Sequence, residues 1–359
     1  MKKEIIGILV CLMLMSTYLA VAKNDEKGNV YQEQHGQTTV IFGDDVPVPI
    51  WTVGDYWHYQ VKDIVLDLEL EGFLVHMALW TDEASLTVVG DTGDFYTIEF
   101  NATLNGNGYI FTDFGDGPIN ITGVLKDTKL TGTILFNKSD LGIKRVEVNL
   151  DGNINLDIIQ NPYIPKTISI KLPAAINVSV DSSVPYPLIK FPLNVTNAWG
   201  LPATNISFDG TIKSPWLNFM NRLNNFAQKH WTLVEIIIGL INKTHIFPPI
   251  DPAVLKNISD ILYDILPTIH IGYVLRKYVG IEPVVHFPAV PIGLVCTNTE
   301  NITIDDRTYF VYNISVGGGI GNMYYAPEAG MIVKMVGRFN DIIPFITDFD
   351  AELIEYSYP

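Results

Sequence analysis

The chain has 359 residues, of which 48% are hydrophobic and 17% are charged, and its formal net charge is −16. This balance excludes an electrostatic nucleic-acid binder, which needs a basic face, and it argues against a polybasic membrane anchor. The apolar content also excludes a largely disordered chain. With two cysteines, the chain is neither a disulfide scaffold nor a multi-cysteine metal protein.

Residues 1–22 are predicted to be a secretory signal peptide. Lys2 and Lys3 precede an apolar run over 5–15, and residues 20–22 have the small-residue pattern of a cleavage site. A retained membrane anchor is the alternative, but the apolar run is short for a span of about 20 residues. We therefore expect a secreted or cell-surface protein with no transmembrane segment in the mature chain. Its single cysteine, Cys296, has apolar neighbours, which favours a buried, inert thiol over a catalytic one.

The chain contains ten Asn-x-Ser/Thr sequons, more than its composition predicts. Such triplets are glycosylated only in an exported chain, which the predicted signal peptide makes this one. Compositional drift in an Asn-rich β protein is the alternative explanation. The predicted glycosylation sites are Asn101, Asn120, Asn137, Asn177, Asn194, Asn205, Asn242, Asn257, Asn301 and Asn313.

The rest of the sequence predicts a flexible polar linker at 23–48 and a single β-rich domain at 49–359. Short β-type runs bounded by Gly, Asn and Asp continue to about residue 213. Residues 143–159 predict an antiparallel hairpin with a turn at Asp151-Gly152, and residues 301–316 predict another with a turn at Asp305-Asp306. We expect a mainly β fold, with a large curved antiparallel sheet or half-barrel and a two-helix insertion.

The helical insertion is predicted at 214–266. Ser214-Pro215 has the pattern of an N-cap followed by proline at the first helical position, and apolar residues then recur at helical spacing. A second helix is expected to begin at Asp251-Pro252. Three interpretations remain open: the helices complete the core of the curved sheet, cover an apolar cavity as a lid, or form a docking surface for a membrane or partner.

Three short motifs occur in order along the chain: Trp51-Thr-Val-Gly-Asp-Tyr-Trp57, Lys190-Phe-Pro-Leu-Asn-Val195 with Trp199, and Tyr324-Tyr-Ala-Pro-Glu-Ala-Gly330. Together they resemble a group of exported archaeal and bacterial proteins of uncharacterised function, similar to the lipoprotein-carrier (LolA-like) half-barrels. The resemblance covers about 51–213 and 284–358 but not the helical insertion. It implies a curved antiparallel sheet, and it supplies no catalytic residues.

Catalytic and cofactor motifs are missing from the sequence. It has no Gly-x-Ser-x-Gly, His-Glu-x-x-His, P-loop or Gly-x-Gly-x-x-Gly pattern, and its seven histidines are scattered. Four aspartates lie in or near predicted turns, where calcium would find oxygen ligands, but no EF-hand loop is present and solvated turns are the favoured explanation (Asp113, Asp116, Asp151 and Asp157). We therefore expect no cofactor, no metal and no catalytic residues.

These observations favour an exported, glycosylated, non-enzymatic binding protein that holds an apolar or lipid-like ligand between sheet and helices. The alternative is a structural cell-envelope or surface glycoprotein, with envelope components as partners. A secreted polysaccharide hydrolase is a third and weaker hypothesis. The residues predicted to line the ligand site are Trp216, Phe219, Phe226, Trp231 and Ile237.

Overall fold

The structure, a computed structural model, describes residues 45–70, 73–113, 118–160, 168–244, 252–274, 276–277, 282–287, 289–317, 321–338 and 346–359. Most of these residues lie in fifteen antiparallel strands of one sheet. The strands are β1 (Tyr56–Leu70), β2 (Phe73–Thr92), β3 (Phe95–Asp113), β4 (Pro118–Asn137), β5 (Ile143–Gln160), β6 (Ile168–Tyr186), β7 (Ala198–Leu201), β8 (Thr204–Lys213), β9 (Thr268–His270), β10 (Val284–Phe287), β11 (Val290–Ile304), β12 (Arg307–Val316), β13 (Gly321–Ala326), β14 (Met331–Gly337) and β15 (Ile346–Ser357).

The sheet is large, curved and open, as the sequence predicted. Its strand order is β10-β8-β6-β5-β4-β3-β2-β1-β15-β14-β13-β12-β11-β7, and β9 pairs with β8 beside this path. The chain runs from Leu201 at one end of the sheet to Thr204 near the other end, and from Phe287 back to Val290. Three peptide units span at most about 11 Å, so the two ends of the sheet lie close together.

The core follows from the alternation of side chains along the strands. On β3, Tyr96, Ile98 and Phe100 are buried, whereas Glu99 and Asn101 between and after them are exposed. Successive strand residues point to opposite faces, so this pattern places one apolar face inside the curve. The same arrangement on the neighbouring strands produces one continuous buried cluster.

Two of the three short sequence motifs contact each other in this core. The indole Nε1 of Trp51 donates to the carbonyl oxygen of Gly330 at 3.1 Å, and that of Trp57 donates to Ala329 at 2.7 Å. Both tryptophans are fully buried. A buried indole needs an acceptor for its N–H. These motif residues therefore join the start of the sheet to the β13–β14 turn.

One predicted hairpin is confirmed and one is wrong. The turn at Asp305-Asp306 joins β11 to β12, and Ile304 pairs with Arg307. In contrast, β5 continues without a turn through Asp151-Gly152. A Cβ on Gly152 would lie 2.6 Å from the side chain of Thr128, so this glycine serves a close contact between neighbouring strands.

The helical insertion is confirmed, and its first helical segment divides at His230. The helices are α1 (Pro215–Lys229), α2 (Trp231–Thr244), α3 (Pro252–Ile265) and the short α4 (Ile271–Val274). Ser214 is the N-cap of α1: its Oγ accepts a bond from Trp216 N at 3.2 Å and donates to the Pro173 carbonyl at 2.5 Å. His230 ends α1, and its carbonyl accepts bonds from the first turn of α2.

The predicted signal peptide and most of the predicted linker lie outside the described residues. The last linker residues are described, and Val46 forms a pair of backbone bonds with Leu193 at 2.9 and 2.8 Å. Among the described residues, no helix combines the length and the apolar character needed to cross a bilayer.

Candidate functional site

Helix α1 packs against α3 through polar side chains. Asn224 is buried, and its Nδ2 donates to the carbonyl oxygen of Ser259 at 2.8 Å while Ser259 Oγ donates to Asn224 Oδ1 at 2.6 Å. Gln228 Nε2 donates to Asp260 Oδ1 at 2.6 Å, and Lys256 Nζ donates to Gln228 Oε1 at 2.6 Å. This network fixes the rotation of α1 about its axis, because buried polar groups must keep their partners.

The apolar face of α1 therefore points to solvent. Its exposed side chains follow each other at intervals of three or four residues, as neighbours on one helix face do. Phe226 is 56% exposed, and Trp216 and Phe219 stack with ring centroids 5.4 Å apart. We call this face the α1 stripe; it comprises Trp216, Phe219, Leu223 and Phe226.

Helix α2 has a similar exposed face. Ile238 is buried and Trp231 and Val234 are half-buried, so one side of the helix is covered. The opposite side is apolar and exposed, with Leu240 at 59%. We call it the α2 stripe; it comprises Leu233, Ile236, Ile237 and Leu240. Each large apolar side chain left half exposed forgoes about 1 kcal/mol of burial free energy, so two such stripes are an unusual surface.

The structure places four of the five predicted ligand-lining residues on these stripes: Trp216, Phe219, Phe226 and Ile237 are all exposed. Trp231 is half-buried, its Nε1 donates to Glu235 at 2.8 Å, and Lys256 Nζ lies 5.0 Å above its ring. The prediction omitted four further stripe residues, although their helical spacing in the sequence was the available signal (Leu223, Leu233, Ile236 and Leu240).

An apolar cavity and a polar cleft lie in the sheet, and neither is lined by any of the five predicted residues. The first is apolar and holds about 40 Å³ beside Trp51, Tyr59 and Phe136. Small-molecule pockets usually measure about 300–1,000 Å³, so a lipid would not fit there. The second is a polar cleft of about 330 Å³ where β2, β3 and β4 bulge, and its lining includes Glu83 and Asp127.

Among the described residues, the thiol of Cys296 is buried. Burial raises the pKa of the Cys296 thiol to about 11, so at neutral pH it is a protonated, weakly nucleophilic group. Within the described parts of the chain, no three His, Cys, Asp or Glu side chains gather as metal ligands would.

A charged cluster crosses β1, β14 and β15. Lys334 Nζ donates to Glu352 Oε1 at 2.5 Å, and Lys62 contacts Oε2 of the same carboxylate. Burial opposes the ionisation of Glu352, but the bonds from the two lysines outweigh it and hold the pKa of Glu352 below its ordinary value. Its ion pairs link the three strands β1, β14 and β15.

The ten sequons differ in how their asparagines are placed. The exposed ones are Asn101, Asn177, Asn205 and Asn301; the half-buried ones are Asn120, Asn137, Asn194, Asn242 and Asn313. The side chain of Asn257 lies outside the described residues. The four exposed sequons thus lie on outward-facing strand positions, where an attached sugar would point away from the core.

Comparison of the chain with protein-family models, with curated proteins and with solved structures finds no match.

Proposed function

We propose that the chain is an exported, glycosylated, non-enzymatic binding protein for an apolar or lipid-like partner, and that it binds through the α1 and α2 stripes. The observation that supports this most is the orientation of α1. Its polar side is bonded to α3 through Asn224 and Gln228, so its aromatic side is left to solvent. A large apolar patch kept at the surface is typical of a binding site.

The site is an open surface on two convex helices. The apolar cavity in the sheet is too small for a lipid, and the larger cleft is lined by polar side chains such as Asp82 and Asn105. The stripes instead offer several large side chains whose further burial would stabilise a complex with an apolar partner. The ten sequons suit a protein that works outside the cytoplasm.

The test has two parts. Protein purified from its native host is extracted with organic solvent, and the extract is analysed by mass spectrometry for a stoichiometric lipid or isoprenoid. The uncharged dye N-phenyl-1-naphthylamine is then titrated onto the stripped protein. We expect saturable fluorescence enhancement, weakened roughly 10- to 30-fold in a Phe219→Ser/Phe226→Ser variant, since each ring supplies about 1 kcal/mol of burial.

Phe310→Ser is the matched control, because Phe310 on β12 is 43% exposed and lies away from the helices in the sequence and the sheet. Its dye affinity should equal that of the parent chain. Non-saturable dye binding, or an equal loss of dye affinity in the control variant, would show that the stripes are not the binding site.

A further inference from the structure

Helices α1 and α2, together with Lys213 before them, are basic in an acidic chain, whereas α3 carries Lys256 against Asp260 and Asp264. Residues 213–244 contain four lysines and arginines against one acid, Glu235, for a net charge of +3. Since the whole chain carries −16, all other residues together carry −19. The four basic side chains are all exposed: Lys213, Arg222, Lys229 and Lys243.

Three of these basic residues lie beside the apolar stripes. Arg222 is three residues from Phe219 and four from Phe226, and Lys229 is three residues from Phe226, so both border the α1 stripe. Lys243 is three residues from Leu240 and borders the α2 stripe. Long basic side chains in such positions keep their charge in a polar layer while their stems cover apolar surface.

We infer that the α1 and α2 stripes dock on a lipid bilayer that carries anionic headgroups; this inference rests on the proposed function and names its partner. An apolar helix face with large aromatic groups and flanking lysine or arginine lies in the plane of a membrane interface. The aromatic pair Trp216–Phe219 supplies rings of the kind found at that depth. The charge of the segment complements anionic headgroups.

The shape and charge of the segment favour a bilayer over other occupants. A single small molecule needs a concave site that covers most of its surface, whereas the stripes are convex. A second copy in a two-fold contact would bring this positively charged patch against the same patch of its partner. A bilayer accepts a convex helix and supplies opposite charge. Asp260, an acidic residue of α3 that contacts α1 through Gln228, is paired with Lys256 at 3.1 Å.

The experiment is vesicle flotation of the full chain at physiological salt. Vesicles of phosphatidylcholine alone are compared with vesicles of phosphatidylcholine and phosphatidylglycerol. We expect at least tenfold stronger partitioning onto the anionic vesicles, since each basic residue near such a surface contributes roughly fivefold. Arg222→Glu/Lys229→Glu should remove that preference, and Phe219→Ser/Phe226→Ser should weaken partitioning onto both vesicles.

Lys126→Glu/Lys171→Glu is the charge-matched control, because both lysines are exposed on strands β4 and β6. It should keep the anionic preference, and circular dichroism should show every variant folded. Equal partitioning onto the two vesicles, or an equal loss in the control, overturns the inference. So does a dimer in solution that Phe219→Ser/Phe226→Ser converts to a monomer, since a second copy would then cover the stripes.

The outcomes separate this inference from the proposed function. Saturable dye binding at the stripes without vesicle partitioning overturns the bilayer inference and leaves the binding function standing. Loss of both dye binding and vesicle partitioning overturns the bilayer inference and the proposed binding function.

Discussion

Asp63 on β1 lies directly opposite Asp350 on β15 in the antiparallel register. Directly opposed residues point to the same face of the sheet, so two carboxyl groups share one location. Burial is the main cause that raises the pKa of each group. The negative charge of Asp348 raises the pKa of Asp63 further, and that of Glu352 raises the pKa of Asp350 further. In addition, the Oδ1 atom of Asp350 is buried without a hydrogen-bond partner among the described residues.

Asp350→Asn should stabilise the fold at neutral pH. A carboxyl whose folded pKa is raised destabilises the fold when it is ionised, and an amide removes that charge. We expect the thermal midpoint to rise by a few degrees at pH 7. As the pH falls through the raised folded pKa, the parent chain protonates Asp350 and the difference should vanish. A lower midpoint for the variant at pH 7 would contradict this account.

Glu352→Gln should have the opposite sign. Its side chain is 12% exposed and contacts Lys62 and Lys334, so the variant loses roughly 1–3 kcal/mol of unfolding free energy at neutral pH. Because the folded pKa of Glu352 is lowered, this stabilisation is complete above the unfolded value of about 4.3. It disappears as the pH falls through the folded pKa. Urea unfolding across pH 3–7 checks this, with the exposed Glu99→Gln as control.

Asn224→Ala should destabilise the helical insertion. The change removes both hydrogen bonds to Ser259, whose Oγ then keeps the bond that it accepts from Gln228 Nε2 at 2.9 Å, and the two lost bonds together cost roughly 1–3 kcal/mol. Asn225→Ala is the control, since Asn225 is exposed and its Nδ2 donates to Asn221 Oδ1 on the same helix at 3.1 Å. Hydrogen exchange should show faster opening of α1 in Asn224→Ala and not in the control.

Two glycines should respond to alanine in opposite directions. At Gly152 the new Cβ would lie 2.6 Å from the buried side chain of Thr128, so we expect a loss of about 1–3 kcal/mol. At Gly239, on α2, no atom lies within 4 Å, and alanine should add about 0.5–1 kcal/mol through its helix propensity. Urea unfolding of both variants tests the pair, and matching signs would contradict it.

Glycosylation should follow the placement of the sequons. Asn101, Asn205 and Asn301 are exposed, and we expect attached sugar at each. Asn313 donates its Nδ2 to Glu300 Oε1 at 2.9 Å, and its Oδ1 is buried, so it should remain unmodified. Glycopeptide mass spectrometry of the protein from its native host measures occupancy. Full occupancy at Asn313 would show that this bond does not protect it.

The sheet was predictable from the sequence because alternation is a local signal. The inward positions of β3, such as Ile98 and Phe100, follow from the period of two. The Asp151-Gly152 turn was wrongly predicted because the same dipeptide occurs both in tight turns and at strand positions where a neighbouring side chain comes too close for a Cβ. Only the position of Thr128 on the next strand decides between the two.

The orientation of α1 could not be predicted for a related reason. Its periodicity shows an apolar face and a polar face, and the usual expectation turns the apolar face inward. In the structure, Asn224 and Gln228 find partners on α3, and the strand before α1 (β8) pairs with the strand after α3 (β9), which brings the two helices together. The residues of the stripes were thus identifiable from the sequence, but their exposure was not.

The pairing of β1 with β15 bears on how the chain reaches its native state. Tyr56 pairs with Ser357, so the sheet is joined at its middle by segments about 300 residues apart. This pairing forms late, because the chain must lose the entropy of a long loop before the contacts between β1 and β15 can stabilise it. Until residues 346–357 have been synthesised, β1 and β14 each keep an open edge in the centre of the molecule. The sheet of the nascent chain therefore remains in two unjoined parts until β15 has been synthesised.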